Sequence, residues 1–313
     1  SVVPLAWLTA LAALGESGTF KWYGSVPALI VVCLTLYGLS FQWRGSRQRE
    51  DFRHTARFLE ARATQRDTVV VHVSWARFAF GHYYKEPFVH PFPNNVDSGT
   101  PVGDVLQPYL DSHVLWLVQA GIDLSGPAGD PDHVVERWLT ERYPVVTAVF
   151  PNGVDVRGYA TRYRFSSLPS SVTPMNVSYP NGLQLVGYNL PMRDLPARDR
   201  WLHPPSTWVP VTLYWSVTKP LSADIHVSIS LEDEQGNVWG GELPRTGDLR
   251  AFHAPSAWQP GEIVRWDFDV NANSQVPPGT YKVVVRVHDG KGGATLRHTG
   301  EEGWVILERV RLR

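Results

Sequence analysis

Tyr281-Lys282-Val283-Val284-Val285-Arg286-Val287-His288 decides the fold of the C-terminal part of the chain. Tyr281, Val283, Val285 and Val287 fall on one side of an extended segment, and Lys282, Val284, Arg286 and His288 on the other. Side chains alternate across a strand, so this pattern predicts a strand with one buried face. His226 to Leu231 repeats it, with Val227, Ile229 and Leu231 opposite His226, Ser228 and Ser230. Working outward, similar runs occur at Leu183–Leu190, Val209–Val217, Ile263–Val270 and Trp304–Val310. Turn signals punctuate them, among them Pro260-Gly261, Pro277-Pro278-Gly279 and Asp289-Gly290. A series of short strands with no helix between them predicts an all-β, immunoglobulin-like sandwich over residues 181–313.

Upstream, residues 166–180 (SSLPSSVTPMNVSYP) are rich in Ser and Pro and read as a linker. Residues 48–165 alternate helical and strand patterns. Phe52, Ala56, Leu59 and Ala63 share one helical face. Thr68–Val73 (TVVVHV), Val114–Val118 (VLWLV) and Val145–Phe150 are short apolar runs suited to buried strands. Between the last two, Asp130 reads as an N-cap with Pro131 at the first helical position, ahead of Val134, Val135, Trp138 and Leu139. The pattern predicts a small α/β module with a partly parallel sheet. Residues 1–47 read as a transmembrane anchor region. Val26–Phe41 carries no charge and is flanked by Trp22, Tyr23 and Trp43, as a bilayer span with aromatic anchors would be. The expected fold class is therefore a membrane anchor helix, then a small α/β module, then an all-β immunoglobulin-like sandwich. The chain starts with Ser1 and not Met, so it reads as either processed or a piece of something longer.

The chemistry legible in the chain is sparse. A formal net charge of −1 argues against a nucleic-acid partner. Cys33 is the one cysteine, which excludes an intrachain disulfide. The 11 histidines form no His-x-x-x-His pair, and Gly-x-Ser-x-Gly, Gly-x-Gly-x-x-Gly and a Gly-Lys-Ser/Thr phosphate loop do not occur. No catalytic residue, metal or cofactor is expected on these grounds. Two features could bind a ligand. Ser74–Lys85 follows the first α/β strand, where open α/β sheets bind ligands, so His82, Tyr83 and Tyr84 are candidates to line a polar pocket. The alternative is a helix that packs its aromatic residues on the sheet. In the β part, Trp201 and Trp239 are candidates to stack on sugar rings, the alternative being core or interface packing.

The order of the parts carries a resemblance. An apolar span is followed by Asp51-Phe52-Arg53-x-x-Ala56-Arg57-Phe58-Leu59, then Asp67-Thr68-Val69-Val70-Val71, an aromatic segment ending Tyr83-Tyr84, and a helix with Trp138-Leu139. The chain resembles the C-terminal region of bacterial integral-membrane glycosyltransferases of the GT-C type, the polyprenyl-phosphate-sugar mannosyltransferase-like family. Val211-Thr212-Leu213-Tyr214-Trp215, Trp258-Gln259-Pro260-Gly261-Glu262 and Pro277-Pro278-Gly279-Thr280-Tyr281 resemble the β domain appended to some of them. The resemblance implies an accessory role in substrate holding or partner docking. It carries over no catalytic residue, because the family's catalytic acid lies near the N-terminus of the whole protein. Its implied partners are membrane lipid, a polyprenyl-linked sugar or glycan, and other subunits of a membrane complex. Its implied location is membrane-anchored and extracytoplasmic, although Arg44, Arg47, Arg49, Arg53 and Arg57 after the span favour the cytoplasmic side. Two other functions fit the residues: a non-catalytic anchored interaction subunit, and a cell-surface carbohydrate-binding module.

Overall fold

The structure is a computed structural model. It describes residues 30–37 and residues 50–313, apart from 73, 94–95, 121–128, 200–205, 291–292 and 300–302. The chain divides into two compact units, Ser1–Arg49 and Glu50–Arg313. In the first, residues 30–37 are helical and the rest of the expected span lies outside the described residues. Among the described residues no helix is long and apolar enough to cross a membrane. The expected membrane anchor helix, and the membrane-anchored location built on it, are corrected accordingly. The expected fold class is corrected in balance too, since the described residues are mostly β, with 38% of them in strands against 19% in helices.

The second unit begins with α1 (Phe52–Glu60), which Asp51 caps by accepting the His54 N–H at 3.2 Å. A four-stranded sheet follows, made of β1 (Thr68–His72), β2 (Leu115–Ala120), β3 (Val145–Val149) and β4 (Val154–Tyr159), in the order β1-β2-β4-β3. β1 and β2 are parallel, whereas β4 runs antiparallel to both of its neighbours. Helices cover both faces, which is why β2 is buried along its whole length. On one face α1 and α2 (Ala76–Tyr83) pack Phe58, Leu59 and Phe80 against Trp116 and Val118. On the other, α3 (Val102–Leu106) and α4 (Val134–Thr140) pack Leu106, Val135 and Leu139 against Leu115 and Leu117. α4 starts three residues later than an N-cap at Asp130 implies, after a turn that places His133 in the left-handed region. The Asp130 carboxylate still accepts the N–H groups of Val134 at 2.8 Å and Val135 at 2.9 Å.

The remaining strands are β5 (Arg164–Phe165), β6 (Thr173–Ser178), β7 (Leu183–Asn189), β8 (Asp194–Leu195), β9 (Trp208–Val217), β10 (Ile225–Glu232), β11 (Val238–Glu242), β12 (Ile263–Ala272), β13 (Gly279–Asp289) and β14 (Val305–Leu312). They form one continuous sheet, β6-β7-β9-β12-β11-β10-β13-β14-β8, with β5 paired to β12. The inward side chains of β7, β9 and β12 share a single core with those of β10, β13 and β14. Trp215, Trp258, Leu231 and Val285 are fully buried in it, as sandwich packing requires. Residues 173–178 lie in the segment read as a linker, yet they form edge strand β6, paired to β7.

The α/β part and the β part meet along a bonded seam. Val145 N–H donates to Gly247 O at 2.8 Å, and Arg265 N–H to Tyr163 O at 2.8 Å. Trp208 of β9 belongs to the core beneath α1.

Candidate functional site

The strongest structural feature of the seam is set by alternation in β12. Val264, Trp266, Phe268 and Val270 point into the β core. The intervening Arg265, Asp267 and Asp269 face the α/β part, where they line a cleft of about 410 Å³. The cleft runs between that strand, β9 and the stretch from Arg62 to Asp67, with Trp116 and Thr147 from the first sheet at its inner wall.

Charges in the cleft are closely matched. Arg265 grips Asp267 through Nε at 2.9 Å and Nη2 at 2.8 Å, and the Thr212 hydroxyl donates to the same carboxylate at 2.7 Å. The Arg245 Nη2 group sits 3.2 Å from Asp269, and its Nη1 donates across the seam to Val146 O. Asp67 accepts the N–H groups of Thr64 at 2.8 Å and Val114 at 3.0 Å. Arg62 is the exception. Its side chain is only 8% exposed, its Nη2 stands 3.9 Å from Asp269, and its guanidinium lies over the Phe58 ring at 4.0 Å. Burial pulls its pKa down to about 10, with Arg245 lowering it further and Asp269 opposing, so it stays cationic at neutral pH. A second cavity of about 230 Å³, lined by His54, Phe58, Met192 and Trp208, also borders Arg62. His113, at the mouth of the first cleft, is held below the ordinary histidine range by burial and by Arg265, and is neutral at pH 7.

The residues singled out from sequence lie elsewhere. His82 and Tyr83 contact each other edge-on at 4.9 Å on α2, and Tyr83 is partly exposed beside Arg53. Tyr84 is buried and stacks on Phe80 at 5.0 Å, as a packing residue does. None of the three lines the cleft. Trp201 lies outside the described residues. Trp239 packs against the β core, and its Nε1 donates to Asp233 at 2.9 Å, which pins the indole to a turn. Among the described residues no group of His, Cys, Asp and Glu could hold a metal ion. The sequence signal for the cleft was the odd-numbered face of β12, where Arg265, Asp267 and Asp269 recur at strand spacing opposite an apolar face. No protein-family model and no curated protein matches the chain.

Proposed function

We propose that this chain is a binding region without catalytic residues of its own, which holds a polar, hydroxyl-rich ligand in the cleft between its α/β and β parts. The observation that carries this reading is the cleft itself: its volume is in the range of small-molecule sites, and it lies between two layers of one folded unit. Ser170, Ser171, Asn189 and Thr212 supply hydrogen-bonding groups along it, and the buried Tyr214 and Trp116 back its wall. Its carboxylates are engaged by Arg265, Arg245 and backbone N–H groups. The resemblance to sugar-transferring proteins makes a glycan the first ligand to try, with this region holding substrate for chemistry performed by other residues.

Ser171 is exposed at the cleft, so Ser171→Trp fills it without disturbing the core. The variant is expected to lose binding of a saccharide panel by at least about tenfold in saturation-transfer NMR. Its unfolding free energy is expected to stay within about 0.5 kcal/mol of the parent. Undiminished binding in a folded Ser171→Trp protein would place any glycan site outside the cleft.

A further inference from the structure

The buried donors that border the cleft are short of acceptors. Three polar atoms at its wall have no hydrogen-bond partner among the described residues: Arg62 Nε, Trp116 Nε1 and Thr147 Oγ1. The first two are donors only, and the third can donate. Trp116 and Thr147 are 2% and 1% exposed, so bulk water does not substitute for a partner. Leaving a buried donor unpaired is costly, and native proteins do so rarely. The three belong to one local arrangement. Trp116 and Thr147 both pair with Gly158 of β4 in the sheet register. A Cβ on Gly158 would meet the Trp116 ring at 3.0 Å, so glycine leaves the indole its place against the sheet. Trp116 then meets Phe58 edge-on at 6.1 Å, and Phe58 carries Arg62 on its face.

Arg62, Arg66, Arg245 and Arg265 stand against Asp67, Asp267 and Asp269 in and beside the cleft. Each carboxylate already has its partners, as described above. Among the described residues the Arg62 guanidinium donates one hydrogen bond, to Trp208 O at 3.4 Å, and has further N–H groups to offer. Arg66, exposed at the rim, adds a second cation. A neutral sugar would supply hydroxyls, each of which brings a donor as well as acceptors. A carboxylate or phosphate is acceptor-only and matches a wall of surplus donors beside a buried cation.

We propose that the ligand of this cleft carries an oxyanion, a carboxylate or phosphate on a hydroxyl-rich molecule, and that Arg62 grips it. The proposal rests on the reading of the cleft as a binding site. Asp269 remains balanced by Arg245 at 3.2 Å when Arg62 turns its free N–H groups to the ligand. Arginine suits the task because its fork presents paired donors to a carboxylate or phosphate.

The test compares D-glucose with D-glucuronate and with glucose 1-phosphate, each titrated calorimetrically into the full 313-residue chain, into Arg62→Gln and into Ser171→Trp. The charged sugars are expected to bind the unaltered chain at least about tenfold tighter than glucose. That advantage is expected to vanish in Arg62→Gln, to be kept in part by Arg62→Lys, and to weaken with added salt. The tighter of the two charged probes identifies the anion. Equal binding of charged and neutral sugars, blocked by Ser171→Trp, overturns the oxyanion proposal and leaves the cleft reading standing. An anion preference that survives Arg62→Gln overturns the assignment to Arg62. If no probe binds, or Ser171→Trp blocks nothing, the cleft reading falls and this proposal with it. The comparison of neutral with charged sugars is made on the unaltered chain, so a misfolded Arg62→Gln protein does not remove the test.

Discussion

Asp267→Ala is expected to cost roughly 3–5 kcal/mol of folding stability, close to the cost of emptying a large core position. Asp267 and Arg265 are 8% and 11% exposed, and three N–H···O contacts of 2.8–3.1 Å join them. Removing the carboxylate leaves a buried guanidinium and the Thr212 hydroxyl without their acceptor. The penalty is thus mostly that of an uncompensated charge, not the net worth of the pair. The double variant Arg265→Met/Asp267→Leu removes both charges and is expected to recover most of the loss. Urea unfolding of the three proteins separates these effects. A loss below about 1 kcal/mol for Asp267→Ala would show that water reaches Arg265, and that the seam is looser than its geometry implies.

Glu242→Gln is expected to stabilise the protein in a pH-dependent way. Glu242 pairs with Val270 at the end of β11, and its Oε2 is buried without a partner among the described residues. Burial pushes its carboxyl up to about 7 against the pull of Arg250 and Arg245, with Asp248 adding to the rise. For a carboxyl whose folded-state pKa is raised, stability is fully present below the unfolded value of 4.5 and is lost as pH rises through about 7. Glutamine keeps the shape and cannot ionise. The advantage of Glu242→Gln over the parent should therefore grow by about 1–2 kcal/mol between pH 5 and pH 8 in paired urea titrations. An advantage equal at the two pH values would mean that Glu242 titrates as it would in water.

The β part was legible because its strands are half-buried. In β10, and in β13 apart from the buried Val284, each apolar residue is flanked by partly exposed or polar neighbours, so burial itself writes the period. Where that condition fails, the reading failed. β6 (TPMNVS) is an exposed edge strand with Pro174 in it, a placement open to proline only at an edge, so its composition matches a linker. β4 (VDVRGY) alternates, but Asp155, Arg157 and Gly158 mask a strand whose polar face is occupied by an Arg157–Asp155 pair at 2.9 Å. The membrane span expected at Val26–Phe41 was read from an uncharged apolar run with flanking aromatic residues, and among the described residues no helix is long and apolar enough to cross a membrane.

The cleft was hidden for a different reason. Arg62, Trp116, Thr147, Thr212 and Asp267 come from stretches far apart in the chain, and each is ordinary in its own stretch. Only the packing of β12 against the α/β part turns a charged strand face into a wall. The residues that did attract notice were aromatic, and aromatic side chains are spent first on packing: Tyr84 is in the core and Trp239 is pinned to a turn.

Binding of an oxyanion at Arg62 and Trp116 is read by a two-dimensional 1H–15N NMR titration of the chain with D-glucuronate, at the tryptophan indole and arginine Nε–H signals. Bound D-glucuronate is expected to shift the Trp116 Nε1–H and Arg62 Nε–H signals downfield together, since both are donors at the cleft wall without a partner among the described residues. The indole of Trp258, already bonded to His253 O at 3.0 Å deep in the β core, should not move. Shifts confined to the exposed Trp304, or an unmoved Trp116 and Arg62 at saturating ligand, would contradict binding at these residues.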